Sequence, residues 1–400
     1  MLNAHPLQIL YLDPYHGGSH AAVATGYAAH SRHHITLLSL PTAGGWRWRM
    51  RGAAVSLARL ARDQSNAPDL IFTTDMLDLA TFKALYLSRR LDEPSAVTGK
   101  ACAPPPIAVY FHENQLTYPL PSGRARDLSF AWTNYTSALL ADAVLFNSEF
   151  HRRSFLDALP SLLQRYHDYR ELETIDIIAA KSQVLAPGID LARHDVFAEQ
   201  DEDSRSNLQA PQSLKTHHLA PVILWNSRWD YDKQPALFFA ALETLEARGA
   251  EFRLIVAGEQ VDPNDSAFVA AHERWAQRII HWGYAADPAL YSRLLHQADI
   301  VVSTAIQEFF GISIIEALYC GCIPILPRRL TYPDLLPAEQ HADCLYETFD
   351  ELVERIAAAL ARCAELRQRN WRSIAAPYDW SKLGARFDAV LEQIHCETCS

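Results

Sequence analysis

The chain has 400 residues, too many for one ordinary hydrophobic core and enough for two domains of about 200 residues each. Its composition is globular, with 49% hydrophobic and 21% charged residues, and its formal net charge of −11 argues against non-specific coating of nucleic acid while leaving room for one basic face. Through residue 195 there are 18 basic and 18 acidic residues, so the remaining 18 basic and 29 acidic residues carry the whole excess.

No apolar run approaches the ~18 residues of a membrane span. The N-terminus lacks a charged-then-apolar signal pattern, and the seven cysteines are odd in number and scattered. Reduced thiols and a cytoplasmic location are expected, with no membrane partner and no obligate protein partner. Cys396 and Cys399 form a C-x-x-C, but no second ligand pair accompanies them, so no metal site is expected.

In chain order, LQILYLD (7–13), HITLLSL (34–40), DLIFTT (69–74), PIAVYF (106–111) and DAVLFN (142–147) read as buried strands alternating with helices. Such alternation predicts a parallel sheet covered on both faces. The segment Ala198 to Ala220 is polar, mixed in charge and without apolar periodicity, and reads as a linker. The alternation then restarts with PVILWN (221–226), FRLIVAG (252–258), RIIHWG (278–283), DIVVST (299–304) and CIPIL (322–326). Helices are expected at Pro235 to Arg248, Ala267 to Gln277 and Pro288 to Gln297, and terminal helices at 350–370 and 380–394. The expected organisation is an N-terminal domain (1–197), a linker (198–220) and a C-terminal domain (221–400), with helix 380–394 available to pack back on the first domain. Two doubly wound α/β domains place their strand C-terminal ends across a cleft, where ligands bind in such sheets.

The richest segment is TAIQEFFGISIIEALYCGCIPIL, with Glu308 and Glu316 eight positions apart. Gly311 opens an apolar helical run and Gly321 ends it. The first N–H groups of such a helix lack intrahelical partners and favour an anion. The flanking carboxylates can accept bonds from sugar hydroxyls. In SRWDYDKQP (227–235), Arg228 and Lys233 can neutralise a diphosphate leaving group; the competing assignment is a solvated ion pair with Asp230 or Asp232. In DPYHGGSH (13–20), Gly17 and Gly18 permit close approach of a ligand and Ser19 can cap the next helix. This is not the dinucleotide fingerprint. His16 and His20 have metal-pair spacing but no third ligand. His112, in HENQ (112–115), lies at a strand C-terminal end, where a neutral imidazole can bond a hydroxyl.

WRWRMRG (46–52) interleaves Trp46 and Trp48 with Arg47, Arg49 and Arg51, and Arg59 and Arg62 follow on an expected helix. Aromatic–basic interleaving suits unpaired bases and phosphates; the same residues also fit another acceptor or an interdomain surface.

These residues resemble a known family. Arg228 with Lys233, VAGE (256–259), HWG (281–283) and the Glu308–Glu316 element resemble retaining glycosyltransferase family 4 and its GT-B fold. Nearly the full length resembles one branch, the tRNA-queuosine α-mannosyltransferases, through GGSH, WRWR, FHENQLTYP (111–119), FNS (146–148), EFFG, YCGC and APYDW. The resemblance implies mannose transfer from GDP-mannose to queuosine in a tRNA, of tRNA-Asp type, without a cofactor or metal. It implies that Glu308 binds the mannose, Glu316 the ribose, and Arg228 and Lys233 the diphosphate. Phe310, Gly311 and Ile312 would supply backbone donors, Gly17 and Gly18 would face the diphosphate, and His112 would sit beside the sugar. Trp46, Arg47, Trp48, Arg49, Arg51, Glu113 and Asn114 would form the acceptor side. The loop lacks the family's usual glycines beside the arginine and lysine. Taken alone, the residues are compatible with GDP or UDP. They also leave open a glycan or lipid acceptor, and an inert tRNA-binding protein on the same fold.

Overall fold

In the computed structural model the described residues are 5–88, 104–121, 123–196, 220–260, 262 and 266–399. The expected linker falls almost wholly outside them, as does Cys102. Backbone contacts divide the chain into two units: Met1–Ile189 with Trp380–Ser400, and Asp190–Asp379.

The first unit holds strands β1 (Gln8–His16), β2 (His34–Pro41), β3 (Leu70–Thr74), β4 (Ile107–Phe111), β5 (Ala143–Phe146) and β6 (Ser182–Val184). They form one parallel sheet in the order β2-β1-β3-β4-β5-β6. β3, β4 and β5 are buried at every position, which is why they read as unbroken apolar runs rather than alternating ones. On one face the helices Gly45–Arg62, Leu79–Ser88, Leu128–Leu140 and Glu149–Leu163 close a core around Leu57, Phe82, Phe111, Phe146 and Phe155. Tyr27, on the helix Gly18–His30, and Phe387, on the helix Trp380–Cys399, pack against Phe72. The C-terminal helix therefore completes the first unit. Asp388 fixes it there, accepting hydrogen bonds from Tyr27 Oη at 2.9 Å, Ser31 Oγ at 2.6 Å and the Arg32 N–H at 2.9 Å.

The second unit holds β7 (Val222–Trp225), β8 (Arg253–Ala257), β9 (Ile279–Gly283), β10 (Ile300–Val302), β11 (Ile323–Pro327) and β12 (Leu345–Tyr346). Their parallel order is β12-β11-β10-β7-β8-β9, with the chain reversing direction across the sheet between β7 and β10. Ligands bind beyond the strand C-terminal ends at such a reversal.

One boundary differs from the sequence reading. Residues 190–196, assigned there to the first domain, belong to the second unit. Polar contacts hold them: His194 Nδ1 with Ser292 Oγ at 2.8 Å, Tyr319 Oη to Asp195 at 2.8 Å, and Arg193 with Glu316. The polar run that begins at residue 198 drew the predicted boundary a few residues too far along the chain.

Candidate active site

The reversal in the second sheet brings together two loops, 226–234 after β7 and 303–311 after β10. Thr304 Oγ1 donates to the carbonyl of Lys233 at 2.7 Å, and the Ile306 N–H to that of Asp232 at 2.8 Å. Asp230 caps a short 3-10 turn, Tyr231–Lys233, by accepting from the Tyr231 N–H at 2.8 Å. Gln234 follows in the left-handed region at φ 47°, and Pro235 starts the next helix. The turn fixes Lys233 beneath the second loop. Its Nζ lies 2.7 Å from the Gln307 carbonyl and 3.3 Å from both Glu308 and Asp232. Burial works against the ammonium charge, but Glu308 and Asp232 outweigh it and raise the lysine pKa. Lys233 is thus a fixed cation at neutral pH.

Arg228 lies 3.3 Å from Asp230 and 3.8 Å from Asp232, yet its side chain is 46% exposed. The ion pair anticipated as the competing assignment exists, and it leaves the guanidinium at the surface of the loop. Gly311 caps the helix Ile312–Tyr319 with φ 94°. A Cβ there would meet only ordinary contacts, so the left-handed φ is what calls for glycine. The helix ladder begins with Ile314 and Ile315 donating to the Gly311 carbonyl, so it provides no acceptor for the Ile312 and Ser313 N–H groups. The Phe310 ring is buried against Tyr378, so the ring packs in the core and only its backbone suits a donor role.

Glu316, on the second turn, is nearly buried. Tyr291 Oη donates to Oε2 at 3.0 Å, Arg193 pairs with Oε1, and His194 Nε2 lies 3.8 Å away. Asn226 Nδ2 bonds Tyr291 Oη at 3.2 Å and the Ser313 carbonyl at 2.9 Å, tying the β7 loop to the helix. Arg193, Tyr291 and Asn226 were not singled out from the sequence, because no local motif contains them. Arg228, Lys233, Glu308, Gly311, Ile312 and Glu316 were, and the fold gathers them at one end of one sheet.

In the first unit the order reverses between β1 and β3. Gly17 is the N-cap of the helix Gly18–His30, so Ser19 lies inside that helix and is not its cap, as the sequence reading had it. A Cβ on Gly17 would sit 2.4 Å from Thr42 Cγ2, and Gly18 has φ 53°. His20 and His112 pack ring against ring, with centroids 4.0 Å apart and planes tilted by 32°. The His112 N–H donates to Asp75 Oδ1, and Asn147 Nδ2 to the His112 carbonyl, each at 2.8 Å. His151 Nδ1 meets Asn147 Oδ1 at 2.8 Å. Asn114 is buried, and its Oδ1 accepts from the Leu116 and Thr117 N–H groups, so it shapes the 112–117 loop. Gln115 Nε2 donates to Glu113 at 2.8 Å.

Burial lowers the pKa of His20 to about 4, and it pushes those of His112 and His151 well down. All three are neutral at pH 7. The unfolded chain binds protons at these rings near pH 6.5 and the folded chain does not, so their contribution is fully present above pH 6.5 and is lost as pH falls below it, toward about 4 for His20. Urea denaturation midpoints should drop across that window, and His20→Asn should flatten the drop if the variant stays folded.

The helix Gly45–Arg62 presents an aromatic–basic surface. Trp48 is 59% exposed and lies against Gly44 and Gly52. Arg47 sits 4.4 Å over Trp46, and Arg51 sits 4.6 Å over Phe130 and bonds Ser129. Arg49 behaves differently, donating to the Pro41 carbonyl at 2.8 Å and the Ala43 carbonyl at 2.9 Å, so it braces the turn before the helix.

Two six-stranded parallel sheets, each with a reversal of strand order, make the GT-B fold. The fold is shared with sucrose-phosphate synthase from Thermosynechococcus elongatus (TM-score 0.67, 16% identity, 98% and 100% of the two chains). It is also shared with Anabaena HepE solved with UDP and glucose (TM-score 0.63, 16% identity, 96% and 99% of the chains). Residues 209–375 match the glycosyl transferases group 1 family, and residues 8–189 match the family described as tRNA-queuosine alpha-mannosyltransferase N-terminal. A tRNA-queuosine alpha-mannosyltransferase of Drosophila melanogaster is 32% identical over 349 residues, 87% of this chain and 85% of that one. The chain belongs to the tRNA-queuosine α-mannosyltransferase family. A GDP-mannose:cellobiosyl-diphosphopolyprenol alpha-mannosyltransferase of Xanthomonas campestris is 30% identical over 174 residues, 42% of this chain and 45% of that one.

Proposed function

We propose that this chain transfers mannose from GDP-mannose to the queuosine nucleoside of a tRNA, with retention at the anomeric carbon and without a metal ion. The observation that carries the reading is the likeness to the Drosophila enzyme across both units, on a chain where Arg228 and Lys233 both lie against Asp232 and Lys233 reaches Glu308. The Xanthomonas relative is named for GDP-mannose and supports that donor. In this reading Arg228, Lys233 and the Ile312 and Ser313 N–H groups hold the diphosphate, and Glu308 and Glu316 receive the sugar and ribose hydroxyls. The bond from the anomeric carbon to the phosphate oxygen breaks, and a bond to the queuosine hydroxyl forms on the same face. The hydroxyl proton passes to the departing phosphate oxygen. Fixed cations stabilise the charge that develops there, and the protein otherwise contributes positioning.

GDP release from GDP-mannose should require queuosine-bearing tRNA and should continue in a chelator, once a modest magnesium effect on tRNA folding is controlled. Strict dependence of the chemical step on manganese or magnesium would remove Arg228 and Lys233 from the leaving-group role.

The Trp48 surface is the acceptor side of this proposal. Arg47→Glu with Arg51→Glu should weaken tRNA binding and flatten its salt dependence by roughly 0.7–0.9 per lost phosphate contact. GDP affinity should stay unchanged. Arg49 is left intact because it braces the turn. Loss of GDP binding with tRNA affinity kept would assign this surface elsewhere.

A further inference from the structure

Glu316 is held more tightly than a ligand-binding carboxylate needs to be by its own helix. Both oxygens are engaged, Oε1 by Arg193 and Oε2 by Tyr291 at 3.0 Å. Asn226 Nδ2 donates to Tyr291 Oη, so the single hydroxyl proton is directed at Glu316. Burial and the neighbouring Glu316 charge push the Tyr291 pKa well up, which keeps that proton in place. Arg193 is anchored on both sides. The Leu191 N–H donates to Asp379 at 3.1 Å, the His194 ring meets Ser292, and the His194 carbonyl accepts from His296 Nε2 at 2.9 Å. Ser292, His296 and Tyr291 share the helix Pro288–Gln297, so one rigid element sets both partners of the carboxylate.

An ionised carboxylate offers about four acceptor positions. Arg193 and Tyr291 use two, which leaves one on each oxygen, a spacing that suits the vicinal hydroxyls of a ribose. A nearly buried carboxylate also needs a counter-charge, and Arg193 provides it.

We infer that Arg193, with Tyr291, is a positioning residue that orients Glu316 toward the ribose hydroxyls of the nucleoside diphosphate. This rests on the assignment of Glu316 to the ribose. The test is calorimetric titration of GDP and of 2′,3′-dideoxy-GDP into the wild type, Arg193→Gln, Arg193→Lys, Tyr291→Phe and Glu316→Gln. Wild type should prefer GDP by about ten- to a hundredfold, the worth of hydrogen bonds to a charged group. Arg193→Gln should erase most of that preference while changing dideoxy-GDP affinity less than about threefold, and Arg193→Lys should restore part of it. Tyr291→Phe should show the same selective loss, and it carries the test if Arg193→Gln does not fold. Equal weakening of both nucleotides in Arg193→Gln and Tyr291→Phe, with collapse only in Glu316→Gln, would overturn the positioning role alone. Full preference retained in Glu316→Gln would overturn the ribose assignment and the inference with it.

Discussion

Arg228→Ala should cut turnover about 10²–10³-fold, the usual effect of removing one donor that stabilises developing charge, and should barely move the melting temperature. The guanidinium is 46% exposed and its aspartate partners keep other contacts, so the fold loses little. Lys233→Ala should behave differently. The lysine side chain is only 14% exposed and sits between Glu308, Asp232 and the Gln307 carbonyl. Removing it takes the cation from Glu308 and leaves buried Asp232 to Arg228, 3.8 Å away, at a cost of about 2–4 kcal/mol, somewhat below that of a fully buried pair because Glu308 keeps access to water. Activity should fall at least as far as for Arg228→Ala. Steady-state rates beside urea denaturation of the two variants separate the roles. Equal stability losses in both, matched by equal activity losses, would make the loop a structural ion-pair cluster and not a diphosphate site.

The second large effect concerns Trp380, which is 2% exposed and wedged between two glycines. A Cβ on Gly26 would lie 2.0 Å from its Nε1, and one on Gly188 would lie 2.2 Å from its Cδ2. The indole also stacks on His30, with centroids 6.0 Å apart. Trp380→Ala should cost about 3–5 kcal/mol, since the glycine backbones cannot collapse into the space left. Gly26→Ala gives the sharper test. Inside a helix, replacing glycine by alanine normally stabilises by about 1 kcal/mol. Here the added methyl meets a buried ring, so the sign should reverse and the variant should lose at least ~2 kcal/mol. Chemical denaturation of both variants checks this; a stabilised Gly26→Ala would mean that the slot is loose.

Much of this architecture was legible in the chain because it is local. Strands buried on both faces appear as continuous apolar runs, and the two loops of the candidate site appear as short motifs, Arg228 to Lys233 and Glu308 to Glu316. β6 and β12 were missed: β6, Ser182–Val184, is short and half-buried, and β12 has only two residues. The supports of the site were hidden for another reason. Arg193 meets a carboxylate 123 positions away, and nothing in its neighbourhood marks it as different from any other arginine. The WRWR segment showed the reverse limitation. Its pattern treated three arginines as equivalent, whereas the turn before the helix takes Arg49 for its own carbonyls. Ser19 likewise looked like a cap, but β1 runs on to His16, the helix starts at Gly18 and Gly17 takes the cap position.

The most direct test of the central claim is nucleoside mass spectrometry. Total tRNA from queuosine-containing cells is incubated with the protein and GDP-mannose, UDP-glucose or GDP-glucose, then digested. The account predicts that queuosine gains one hexose with GDP-mannose, that tRNA lacking queuosine gains none, and that Arg228→Ala forms the product about 10²–10³-fold more slowly. Unchanged queuosine in the presence of tRNA-bound protein and GDP-mannose, or hexose transfer to a glycan or lipid instead, would contradict it.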